Sequence, residues 1–78
     1  MKTNDHNHEI AQLEQEIESL AQEQAQCAAL VKELMISEST HGENHAAEIH
    51  RLKQQKMMLG TQMQHLRAKI GAMKLGII

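Results

Sequence analysis

The 78-residue chain contains no phenylalanine, tryptophan, tyrosine or proline. Without aromatic rings it has nothing to stack on a nucleobase, cap a ligand pocket or anchor a bulky core. Without proline, no position forces a helix to kink or stop by removing a backbone donor. The single cysteine, Cys27, excludes an internal disulfide, so the expected compartment is a reducing cytoplasm. The opening residues, MKTNDHNHEI, lack the apolar stretch of a signal peptide, and no apolar run is long enough to cross a bilayer. No membrane partner is therefore expected. Charge of one sign is also scarce: the formal net charge is −2, which by itself favours neither nucleic acid nor an anionic surface.

What remains is a composition of long helices, dominated by Ala, Gln, Glu, Leu, Lys and Met. The apolar residues form two seams with alternating three- and four-residue steps. Ile10, Leu13, Ile17, Leu20, Cys27, Val31 and Leu34 make the first, interrupted by Gln24. Ile49, Leu52, Leu59, Met63, Leu66, Ile70 and Met73 make the second, interrupted by Lys56. Leu34 and Ile49 are fifteen residues apart, one more than two heptads, so one straight stripe cannot hold both seams. The phase slip predicts an all-α fold, an antiparallel two-helix hairpin resembling a coiled coil and dimerising into a four-helix bundle.

The predicted boundaries follow from local chemistry. Thr3, Asn4, Asp5 and Asn7 can each cap the first helix, Asp5 being preferred because it places Glu9 in the first turn, and the helix then runs over about 5–37. Residues 38–44 form the turn, where Gly42 accepts a positive φ, Thr40 with Glu43 has the spacing of a capping box, and Asn44 is an alternative cap for the second helix. The second helix spans about 44–75, and the whole chain is one domain.

A register in which facing residues sum to 83 places every a position against a d position. It pairs Leu20 with Met63 and Leu13 with Ile70. It also brings Gln24, Cys27 and Lys56 into adjacent polar layers near the middle of the hairpin. Charge agrees with this pairing: residues 1–45 carry −7 and residues 46–78 carry +5. Glu16 with Lys69, and Glu14 with Arg67, come within reach across the flanks.

Candidate chemistry is sparse. No serine–histidine–aspartate set, phosphate loop or paired-carboxylate motif is present, so neither an enzyme nor a cofactor is expected. His41 and His45, four residues apart near Glu38 and Glu48, raise a metal-binding hairpin as a third reading. Six histidines scattered along polar faces read more simply as solvated side chains, and no metal site is assigned. Cys27 occupies a seam position and reads as a small core residue. The basic second helix allows an alternative as a small RNA-binding regulator, yet the acidic first helix would repel phosphate, so nucleic acid is disfavoured.

The strongest remaining signal is apolar surface that a two-helix seam leaves uncovered. Ala21, Ala25 and Ala28 share a flank with Met57 and Gly60, and Met35 lies further along. Small residues permit close helix approach and methionine packs adaptably, so this flank is the expected self-association interface. The expected function is a non-enzymatic protein–protein interaction module, with a second copy as the principal partner and an unknown protein as another.

Residues 46–59 resemble the second helix of the YdcH-like family of small bacterial proteins. The resemblance rests on Glu48, Ile49, Arg51, Leu52, Lys53, Gln54, Gln55, Lys56 and Leu59. Gly60-Thr61 departs from the Lys-Asp expected next. The resemblance implies a bacterial helical hairpin and no defined activity.

Overall fold

The computed structural model describes residues 3–76. It contains α1 (Thr3–His41) and α2 (Ala46–Lys74), packed antiparallel as a hairpin. The molecule is a rod of 62 × 16 × 11 Å with a radius of gyration of 17.8 Å. A compact domain of this length would have a radius of about 11.5 Å.

The seam runs where the period places it. Cys27, Val31, Leu52, Leu59, Met63, Ile70 and Met73 are buried, and Leu20, Leu34 and Ile49 pack partly buried against the turn-proximal cluster. No described side chain falls below 2 % exposure, because two helices cover each seam residue on one side only. Nearer the open end, Ile17 and Ile70 line one groove, and Leu20 and Leu66 line another on the opposite flank.

The turn is shorter than residues 38–44. Helix α1 continues through His41, and the four residues 42–45 make the reversal. Ser37 does not compete with helical hydrogen bonding: its hydroxyl donates to Glu43 Oε1 at 2.6 Å and leaves the backbone alone. Gly42, at φ +70°, ends the helix in the left-handed region, with its N–H donating to the Glu38 carbonyl at 3.0 Å.

The Thr40–Glu43 capping box does not form. Thr40 is still helical, and the Glu43 carboxylate is engaged by Ser37 and His45. The start of α2 is served instead by Glu38, whose Oε2 accepts the His45 N–H at 2.6 Å, and by Asn44, whose Oδ1 accepts the Ala46 N–H at 3.0 Å. Asp5 lies within α1, which begins at Thr3, so it is not the N-cap. At the far end, Gly76 (φ +75°) terminates α2, its N–H donating to the Met73 carbonyl at 3.1 Å.

Candidate functional site: the mid-rod flank and the turn

Taking Ile10 and Ile49 as a positions, the expected interface residues fall on the e and b rows of both helices. In an antiparallel pair these rows lie on one broad side of the hairpin. Ala21, Ala25 and Met35 are exposed there, and Ala28 is half-buried. Met57 is 68 % exposed and shares a groove with Gln24, Gly60 and Arg67. Met57 and Gly60 thus line one groove on this side, while Ala28 and Gly60 are partly covered by the hairpin itself.

Gly60 has an intramolecular reason to be small. A Cβ built there would lie 3.1 Å from Gln24 Nε2. That amide donates to the Lys56 carbonyl at 3.2 Å, one helical turn before Gly60. The missing side chain opens the path by which Gln24 reaches the backbone of α2.

The polar layer is thus built differently from the expected trio of side chains. Gln24 is half-buried and Cys27 is buried, but the Lys56 side chain is exposed and contributes its backbone carbonyl. A long stem lets the ammonium leave the seam for water while the main chain stays in it. Cys27 lies in the apolar cluster with Val31, Leu52 and Leu59, which suits a core role for its thiol.

Charge is distributed in a pattern that a residue-by-residue reading misses. Residues 19–31 of α1 contain one charged side chain, Glu23, and residues 54–66 of α2 contain one, Lys56. The register sets these stretches side by side, so about 20 Å of the rod is poor in charge. Glu18 and Lys32 bound the first stretch, and Lys53 and Arg67 bound the second. All four fall on the e and b rows. The flank is a charge-poor patch with a charge at each corner, and the signal was legible in heptad positions of charged residues as well as apolar ones.

The expected flank ion pairs are not closed. Glu14 and Arg67 line the same groove, yet among the described residues every ion pair within 4.0 Å involves a histidine. Exposed Lys, Arg and Glu side chains gain little from pairing against the rotamer freedom they lose. Glu16 with Lys69 is open for the same reason.

The second polar cluster is at the turn. His45 Nε2 donates to Glu43 Oε1 at 2.8 Å, and its Nδ1 stands 4.0 Å from Glu48 Oε1. The Ser37 hydroxyl, then the His45 ring, hold the Glu43 carboxyl below the ordinary carboxylate range. His41 is exposed at the end of α1, while His45 is half-buried at the start of α2. Among the described residues no group of three or more His, Cys, Asp or Glu side chains is placed to hold a metal ion. The cluster staples the turn.

Leu30 (47 %), Ile36 (55 %) and Met58 (65 %) are further exposed apolar residues that the seam periodicity does not single out. Leu30 and Met58 belong to the g and c rows on the opposite side, among glutamines and charges, and Ile36 faces outward. No described helix is long and apolar enough to cross a membrane. Comparison with protein-family models, curated proteins and solved structures returns no match to this chain.

Proposed function

We propose that the protein is a non-enzymatic interaction module that works by self-association, two hairpins joining through the e/b flank into a four-helix bundle. The observation that carries this reading is surface area. The chain exposes 5925 Å², against about 4,800 Å² for a compact monomer of its mass. The excess, about 1,100 Å², is comparable with the ~800 Å² that each partner of a standard stable interface buries. The flank offers exposed methionine and few charges, both found at the centre of such interfaces.

The bacterial hairpin architecture implied by the YdcH-like resemblance agrees with this reading, as does a reducing cytoplasmic setting for the lone thiol Cys27. Sedimentation tests it. The parent chain is expected to be dimeric at micromolar concentration, and Ala25→Glu should weaken the dimer by tenfold or more, by placing two symmetry-related carboxylates in the centre of the patch. A parent that sediments as a monomer at micromolar concentration overturns the proposal.

A further inference from the structure

Resting on that reading, we infer that the second copy packs with its turn at the same end of the bundle, so that each α1 lies against its partner's α2. Two face-to-face arrangements satisfy two-fold symmetry. With the axis along the rod, α1 faces the partner's α2 and the turns coincide. With the axis across the rod, α1 faces the partner's α1, α2 faces α2, and the turns lie at opposite ends.

The four corner charges alone do not choose. In the turn-to-turn arrangement Glu18 meets the partner copy's equivalent of Arg67, which is favourable, while the lysines at positions 32 and 53 oppose. In the opposite-end arrangement, centred on Ala25 and Gly60, the charges at 18 and 32 attract while those at 53 and 67 repel. Two further features decide. Glu14 is on the same flank one turn from Glu18, and Arg67 falls between their levels, so a facing copy brings two carboxylates to each guanidinium. Arg67 has no carboxylate within 4.0 Å among the described residues and is free to accept them. At the level of whole helices, the turn-to-turn arrangement alternates the acidic segment (−7) with the basic one (+5) around the bundle. The other arrangement stacks acidic on acidic and basic on basic, and like charges juxtaposed across an interface disfavour that arrangement.

The two arrangements predict opposite signs for the same substitutions, measured as dimer dissociation constants at low ionic strength. Arg67→Glu should weaken the turn-to-turn dimer by about three- to tenfold, because it meets Glu14 and Glu18 across the interface. Lys32→Glu should tighten it by a similar factor, because it removes a repulsion with Lys53. In the opposite-end dimer both signs reverse. Distance provides a second readout: with Cys27→Ala and a spin label on His41→Cys, the turn-to-turn dimer gives an inter-label distance below about 30 Å. The opposite-end dimer gives about 48 Å, from the sixteen residues separating His41 and Ala25 on each side. A dimer with the long distance and the reversed signs overturns the arrangement while leaving self-association standing. A parent that remains monomeric overturns self-association itself.

Discussion

The Gln24 side-chain amide donates to the backbone carbonyl of Lys56 at 3.2 Å, across thirty-two residues of sequence and between the two helices. This bond joins two interruptions of otherwise apolar seams, and it passes over the bare Cα of Gly60. It is a register marker: a slip of one turn along either helix would put another side chain over the glycine.

Gly60→Ala tests that geometry. A Cβ 3.1 Å from the end of a flexible, partly exposed glutamine can be accommodated by moving the glutamine, at the expense of one hydrogen bond. Alanine gains up to ~1 kcal/mol of helix propensity over glycine. We expect Gly60→Ala to melt as high as the parent or higher, and in a Gln24→Ala background to gain the full propensity difference. A thermal double-mutant cycle measures the coupling.

Identical substitutions at two other glycines should have opposite effects. Gly71 is helical, and a Cβ added there would meet nothing within 4 Å, so Gly71→Ala should stabilise by up to ~1 kcal/mol. Gly42 holds φ +70°, so Gly42→Ala should destabilise by about 1 kcal/mol. Each kilocalorie corresponds to roughly 4–8 °C in a chain of this size, a shift that circular dichroism melts resolve.

Lys56→Leu places an apolar side chain on the seam row between Leu52 and Leu59, which are 6 % and 7 % exposed. The exposed lysine contributes its carbonyl to the polar layer, and a substitution preserves that group. We expect a gain of about 1 kcal/mol, below the ~1.5–3 kcal/mol of full leucine burial. A lower melting temperature would mean that the ammonium has a partner, and the register would have to move.

The turn staple is pH-dependent. Glu43 is held below its ordinary range first by the Ser37 hydroxyl and then by His45. A depressed carboxyl favours the folded turn above the ordinary carboxylate range and loses that contribution as pH falls through the lower folded value. Ser37→Ala should therefore move the Glu43 titration upward, as read by NMR. Melting curves of parent and variant should differ at pH 7 and converge toward pH 3.

The apolar architecture was legible because coiled-coil period is a property of side-chain order alone. Every residue from Ile10 to Leu34 assigned to the first seam is buried or half-buried, and Lys56 is the one exception in the second. What the sequence concealed lies in backbone and geometry. No residue letter marks the Lys56 carbonyl as an acceptor, or shows that Ser37 will prefer the Glu43 carboxylate to its own helix. The flank proposed for self-association stood out as small and apolar residues, but its limits are marked by charges at positions 18, 32, 53 and 67. Those become meaningful only once heptad rows place them on one side.

The antiparallel register also sets an order of assembly. Leu34 and Ile49 are fifteen residues apart along the chain, whereas Ile10 and Met73 are sixty-three apart. Closing the longer loop directly costs about 1.3 kcal/mol more in chain entropy than closing the shorter one. The hairpin is therefore expected to zip from its turn, each closed layer shortening the loop for the next. Substitutions near Val31 and Leu52 should slow folding, and those near Leu13 and Ile70 should instead hasten unfolding, with the open end fraying first.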